Sequence, residues 1–461
     1  MIGDRARQQF ILRLEKEYAD IYGELPWITP EQADRAEKKR AALLSRLAPL
    51  AEWGFHGTKL DCRDLSPGCR LCGEGLWSCL FINNLCTGGC FFCPSEQNSV
   101  DNPTTTTLVF NRPADYVAYL ETFGFRGASL SGGEPFLTLD RSIRFADAVK
   151  RRFGSDIHLW LYTNGLAVTE DSLKRFAYAG VDEIRFNIAA TQYDLGKVRL
   201  AIETIPRVTV EIPAIPENRN VVMTKIHEMA EIGVDHLNLH QIRGTAYNCS
   251  KLASRGYSFL HGPRIGTLET ELTALSLATE TLESGIDLPI NYCSLIFRNR
   301  FQGRGNRLRF ASIMKKEWED VTQAGYIRTI TMEDGTTGRI FRNERNADHA
   351  NLSSSTISLS YFAATVHPRV TYRNPYKEVD LAEGARVVVE RQRVAGDIKL
   401  PPEEAALFQK LFILEETNRL TREDILDRLQ TLPNSGDSVL MDRWDRIVEC
   451  ETIPWGLLEY F

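Results

Sequence analysis

Between residues 114 and 297 the sequence alternates with a regularity that few folds accommodate. Apolar or β-branched runs stand at Gly127–Ser131, His158–Tyr162, Glu183–Ile188, Val208–Ile212, His236–Gln241 and Leu288–Leu295. Amphipathic stretches of helical period precede or separate them at Ala114–Phe123, Arg141–Phe153, Glu170–Ala179, Leu195–Thr204, Thr224–Ile232 and Leu268–Glu283. Strands joined by helices of about 10–15 residues imply βαβ units and a parallel sheet. Periodicity alone leaves two architectures open, a barrel-like sheet and an open doubly wound one.

The flanking text has a different character. Residues 1–55 read as a helical segment broken at Pro26 and Pro30, and 56–79 as a cysteine-rich loop with little periodicity. Cys79-Leu-Phe-Ile-Asn-Asn-Leu85 contains a short apolar run suited to a buried strand. The alternating βαβ region is expected over 80–312, and a mixed α+β domain over 313–461. In the latter, Tyr326–Met332, the Glu333-Asp334-Gly335 turn and Arg339–Phe341 predict a hairpin. Further β-rich text lies at Thr356–Phe362, Arg369–Tyr372 and Ala385–Arg391, and helices are expected at Pro402–Phe412 and Arg422–Leu429.

With 43% hydrophobic and 25% charged residues the chain is neither disordered nor a disulfide miniprotein. Its net charge of −6 gives no global attraction to nucleic acid. No run of 18 apolar residues spans a membrane, and Arg5, Arg7, Arg13 and Glu15 interrupt any signal-peptide core, so a soluble cytoplasmic protein is expected.

Ten cysteines are present, and seven fall between Cys62 and Cys93. In a reducing compartment such a cluster reads as metal binding. Cys86-Thr-Gly-Gly-Cys90-Phe-Phe-Cys93 sets three thiols at spacings of four and three, just after the expected strand. Thiolates suit both iron–sulfur clusters and zinc, and the cysteines alone leave both open. Three grouped ligands on a cubane would leave one iron free. A second motif, Ser131-Gly132-Gly133-Glu134-Pro135, ends the next strand, where α/β ligand sites form. Taken alone it is a turn.

In this order, the two motifs resemble the radical S-adenosylmethionine (radical SAM) superfamily, with its Cys-x3-Cys-x2-Cys and Gly-Gly-Glu signatures. The resemblance covers about 79–297 and favours a partial (β/α)6 barrel. It implies that Cys86, Cys90 and Cys93 hold a [4Fe-4S] cluster whose fourth iron is chelated by SAM. One electron then cleaves SAM to a 5′-deoxyadenosyl radical, which abstracts a substrate hydrogen. It also implies that Gly132, Gly133 and Glu134 hold the methionine amino group, that Phe92 lies near the adenine, and that an electron donor such as flavodoxin or ferredoxin is needed. Tyr162-Thr163-Asn164-Gly165 is similar to family text, making Asn164 a cofactor candidate beside the simpler reading of a turn.

Upstream, Cys62-x6-Cys69-x2-Cys72-x6-Cys79 offers four thiols for a second cysteine-bound metal, whether iron, zinc or an iron–sulfur cluster. The alternative is a Cys69/Cys72 pair with the others buried as small residues. The string Leu65-Ser-Pro-Gly-Cys69 onward is similar to relatives of pyruvate formate-lyase activating enzyme, a group that includes an archaeal C-methyltransferase acting on a glutamine of methyl-coenzyme M reductase. Asn291-Tyr-Cys293-Ser with Arg298, Arg300, Phe301 and Gln302 extends the likeness. Enzymes of that kind use cobalamin. This chain has no Asp-x-His-x-x-Gly motif, and its N-terminal segment is too short for a cobalamin domain, which leaves only the C-terminal region to host one.

Asn187, Glu211 and His240 interrupt apolar strands. Burial there costs free energy without a partner, so each either contacts ligand at the barrel mouth or is satisfied internally. Arg298, Arg300, Arg304, Arg307 and Arg309 form a basic run that reads as a solvated face or as a grip on phosphate, carboxylate or RNA. The expected protein is a radical SAM enzyme modifying an unactivated carbon of a protein or peptide, with C-methylation as the specific form. The rivals are RNA modification and a non-enzymatic iron–sulfur or zinc protein acting in redox sensing or interaction.

Overall fold

A computed structural model describes residues 4–61, 63–105, 108–317, 319–334, 340–342, 366–374, 379–382, 386–389, 392–393, 398–414, 422–432 and 438–461. They divide into two compact units, Met1–Gln302 with Gly456–Phe461, and Gly303–Trp455. The division falls at 302/303 rather than 312/313, and the last six residues belong to the first unit. No described helix is long and apolar enough to cross a membrane.

The first unit is built on seven strands that lie side by side in chain order: β1 (Trp77–Phe81), β2 (Gly127–Ser131), β3 (His158–Thr163), β4 (Glu183–Phe186), β5 (Val208–Pro213), β6 (His236–His240) and β7 (Ile290–Cys293). Every neighbouring pair is parallel. β1 and β7 do not pair. Thr104–Thr105 borders β1 and Lys59–Leu60 borders β7, both antiparallel, so the parallel array stays open. This is the expected partial (β/α)6 arrangement with one further strand.

Helices α1 (Asp4–Glu17) and α2 (Pro30–Leu47) precede the sheet, and the short α3 (Pro67–Gly73) leads into β1. The crossovers are α4 (Pro113–Thr122), α5 (Leu139–Phe153), α6 (Glu170–Tyr178), α7 (Gly196–Ile202), α8 (Arg219–Ile232) and α9 (Leu268–Glu283). Local chemistry sets their starts. Thr29 and Gln32 close a reciprocal capping box on α2, and Thr169 with Ser172 does so on α6. Helix α5 then turns Ser142, Phe145, Ala146 and Val149 inward, the spacing of one helix face.

Strand register stacks side chains across the sheet. Cys79, Ser129, Trp160 and Glu183 form one row, and Tyr162, Arg185 and Thr209 another. Glu211, Asn238 and Asn291 form a third, followed by Pro213, His240 and Cys293. The strand ends therefore carry the polar residues that the sequence singles out.

In the second unit, Ile327–Asp334 pairs antiparallel with Ile340–Arg342 and, over its whole length, with Val366–Asn374. The turn joining the first two, and the Thr356–Phe362 segment, lie outside the described residues. Helices Pro402–Gln409, Arg422–Leu429 and Ser438–Glu451 supply Phe408, Ile425, Trp444 and Ile447 to its core. The last of these helices is not foreseen from the sequence.

Candidate active site

The loop after β1 is tied to the loop after β2 by main-chain geometry. Asn83 donates to the Glu134 carbonyl at 3.1 Å and accepts from the Leu85 amide at 2.8 Å, and the Glu134 amide donates to the Leu85 carbonyl at 2.7 Å. Gly133 makes that approach feasible. Its φ is +64°, and a Cβ would stand 2.1 Å from Asn83 Oδ1 and 2.4 Å from the Leu85 oxygen. The Gly-Gly turn thus holds the start of the cysteine loop against the sheet.

Cys86, Cys90 and Cys93 all line one cavity of about 620 Å³, together with Phe92, Gly133, Asn164, Asn187, Glu211 and His240. Asn164 Nδ2 lies 3.3 Å from Cys86 Sγ. Burial, followed by the adjacent Cys86 and Cys93 sulfurs, pushes the Cys90 thiol up to about 11. Bound iron would remove that cost. Among the described residues no three His, Cys, Asp or Glu side chains are close enough to share a single ion. A cubane carries its thiolates on separate irons, so a spaced triplet facing one cavity fits it better than it fits a mononuclear zinc.

Glu134 takes a different place from the one expected. Its side chain is 1% exposed and does not line the cavity. It accepts from Thr163 Oγ1 at 2.9 Å, the Asn164 amide at 2.7 Å and the Phe136 amide at 3.1 Å. Burial raises its pKa to about 7 against those donors. The carboxylate is spent on bracing the β2 and β3 loops, which fixes Asn164 and through it the contact to Cys86.

Asn187 Oδ1 and His240 Nδ1 are buried and without a hydrogen-bond partner among the described residues, whereas Glu211 is paired. Burial, with Arg298 adding to it, lowers His240 to about 4. Glu211 meets Arg185 at 2.8 Å and Asn238 at 3.1 Å. Arg185 is the centre of this network. It donates to Glu183 at 2.8 Å and Ser66 at 2.8 Å and lies 3.6 Å from Cys69 Sγ. Burial opposes charge on Glu183, but Arg185 and His158 outweigh it and hold the carboxyl below its ordinary range.

The upstream cysteines do not assemble as the sequence predicts. Cys62 lies outside the described residues. Cys69 and Cys72, three apart on α3, share an adjoining cavity of about 200 Å³ with Cys293, Lys59 and Gln302, and Gln302 donates to Cys72 at 3.0 Å. Cys79 does not line it. Strand register directs Cys79 toward the hydroxyls of Ser129 and Ser131. A four-thiol site including Cys79 is therefore not brought together among the described residues, while Cys293, distant in sequence, joins the pair.

The arginine run is not one continuous solvated face. Arg298 donates to the Gln241 carbonyl at 2.6 Å and Arg300 to that of Gly456 at 2.6 Å, while Arg304 and Arg307 bind the carbonyls of Gln323 and Ala324 at 2.7 and 2.9 Å.

Residues 80–211, the stretch that holds the cysteine triplet and the Gly-Gly-Glu turn, match the model of the Radical SAM superfamily. The chain carries a radical SAM domain. The superfamily implies a [4Fe-4S] cluster and SAM. Among characterised sequences, this radical SAM chain is 28% identical over 275 residues to a protein of Methanocaldococcus jannaschii named "Putative glycyl-radical enzyme activating enzyme", covering 57% of this chain and 72% of the relative. Solved structures similar to it include the radical SAM methyltransferase TsrM from Kitasatospora setae, at 14% identity, a TM-score of 0.30 and 42% of each chain. Another is Streptococcus suis SuiB bound to SAM, at 11% identity, a TM-score of 0.35, 63% of this chain and 62% of that one. The chain thus spans less than half of TsrM.

Several cavity-lining residues of this radical SAM chain escape sequence reasoning: Tyr162, Arg185, Arg243, Tyr247 and Lys251. The Glu183-Ile-Arg185-Phe alternation was the available signal, because opposite charges two apart on a strand share one face.

Proposed function

We propose that the 620 Å³ cavity is the site where SAM is reductively cleaved and a hydrogen is abstracted from a carbon of a protein substrate. The observation that carries this reading is the convergence of Cys86, Cys90, Cys93, Gly133 and Asn164 on one cavity. Cys86, Cys90 and Cys93 would hold the [4Fe-4S] cluster, and when bound and reduced it supplies the electron that splits SAM to a 5′-deoxyadenosyl radical. Asn164 orients Cys86, and Glu134 orients Asn164. Gly133 brings main chain to the cavity wall, where it would meet the methionine end of SAM, and Phe92 offers a ring face to the adenine. The relative named for activating a glycyl-radical enzyme supports a protein substrate.

Anaerobic reconstitution followed by dithionite reduction with SAM tests the reading. Wild type should release 5′-deoxyadenosine, and Cys86→Ser, Cys90→Ser and Cys93→Ser should each abolish it and lower bound iron. SAM left intact after reduction would sink the reading. S-adenosylhomocysteine or a methylated product alongside 5′-deoxyadenosine would add C-methylation, and 5′-deoxyadenosine alone would favour radical transfer without it.

A further inference from the structure

Two guanidinium groups in the cavity have no role in the reading above. Arg243 follows β6, Arg298 follows β7, and both line the 620 Å³ cavity. The Nε of each is buried with no hydrogen-bond partner among the described residues. Arg298 spends one Nη2 bond on the Gln241 carbonyl, and Arg243 meets the Tyr18 hydroxyl. Neither pairs with a carboxylate among the described residues. Arg264 adds to the charge around Arg243 but is itself paired with Glu17 at 2.9 Å. The neighbouring cation Arg185 is likewise paired, with Glu183 and Glu211.

A half-buried guanidinium with an open N–H, beside a second one, is costly unless an anion joins it. Burial and then Arg264 and Arg298 lower the affinity of Arg243 for its proton, so the pair repels itself as it stands. The planar fork of each guanidinium matches the two oxygens of a carboxylate. Glu96 and Glu211 line the same cavity, so a carboxylate group, with one charge shared by two oxygens, suits the pair better than a doubly charged phosphate group.

Resting on the proposed function, we infer that Arg243 and Arg298 form a subsite for a carboxylate borne by the substrate. An acidic side chain or a chain terminus of the protein substrate would supply it. The pair would then position the reacting carbon by holding a group remote from it.

The test uses the full chain, anaerobically reconstituted, with glutarate and inorganic phosphate as probes in calorimetric titrations, with and without saturating SAM. Glutarate should bind with SAM present. Arg243→Gln and Arg298→Gln should each weaken it about tenfold or more, the loss expected for one charged hydrogen bond. Arg298→Lys should retain only part of the affinity, since an ammonium keeps the charge but loses the fork. Unchanged cluster absorbance separates a lost contact from a lost fold. Displacement of glutarate by SAM would overturn the inference by assigning the arginines to the cofactor's own carboxylate. A preference for phosphate would overturn it by pointing to a phosphorylated or nucleic-acid substrate. Indifference to the Gln variants would overturn it outright. SAM cleavage without glutarate binding sinks this inference alone, whereas glutarate binding without SAM cleavage sinks only the proposed reaction.

Discussion

His240 sits at the end of β6 on the wall shared by the two cavities, facing Arg298 and Glu211. Its imidazole is held neutral by burial first and by Arg298 second, and Glu211 offsets only part of this. The folded pKa of about 4 lies below the unfolded value near 6.5. The stability that the neutral ring supports is therefore complete above pH ~6.5 and is lost as the pH falls toward 4. Between pH 7 and pH 5 the wild-type first unit should lose on the order of 1–2 kcal/mol more than His240→Gln. Amide hydrogen exchange in β5–β7 at the two pH values checks this. Equal losses in both proteins would remove His240 as the cause.

At the scale of strands, the network around Arg185 joins β3, β4, β5 and β6 to α3 through side chains alone. Removing Arg185 takes away the cation that both Glu183 and Glu211 are paired with. Arg185→Met should therefore destabilise the first unit by about 3–5 kcal/mol. Glu183→Gln and Glu211→Gln added to it should recover part of the loss. Hydrogen-exchange protection of β3–β5 is the readout, and a change under ~1 kcal/mol would show that the network contributes little. The strands that carry these groups were legible because each is a short run with β-branched or aromatic residues, bounded by turns. Five of the six expected crossover helices coincide with observed ones within about two residues, a match helped by caps such as Thr169 with Ser172. The cysteine triplet and Gly133 were legible because local spacing fixes them. Arg185, Arg243 and Cys293 were not, since what gives them meaning is register between strands far apart in sequence. Glu134 was read as a ligand residue because sequence shows its position and not its rotamer. Cys79 was grouped with Cys69 and Cys72 by spacing, but a strand and a helix aim their side chains differently.

At the scale of the whole chain, the first unit is discontinuous: it ends at Gln302 and resumes at Gly456. The returning tail completes a buried polar cluster. The Tyr460 hydroxyl donates to Glu271, the Tyr460 amide donates to Glu37 at 2.7 Å, and the Leu458 carbonyl accepts from Arg40 at 2.7 Å. The Arg40 guanidinium stacks 4.0 Å from the centre of the Tyr460 ring, and the Phe461 carbonyl accepts from the His261 amide at 3.0 Å. Arg40 and Glu271 are 6% and 4% exposed, so without the tail both lose partners they cannot replace fully with water. Glu271 also accepts from Tyr292 on β7 at 2.7 Å, which carries the effect to the strand that ends at Cys293. A chain ending at Trp455 should lose about 3 kcal/mol from the first unit, roughly 5 °C in its thermal midpoint. A peptide of residues 456–461 added in trans should restore less than the covalent tail, because tethering supplies effective concentration. Calorimetry of the two chains decides the matter, and an unshifted midpoint would mean that α2 and α9 hold Arg40 and Glu271 without help. Since the tail is made after Gly303–Trp455, the first unit reaches full stability only after that stretch has been synthesised, and protection of β7 in nascent chains should lag behind that of β2 and β3.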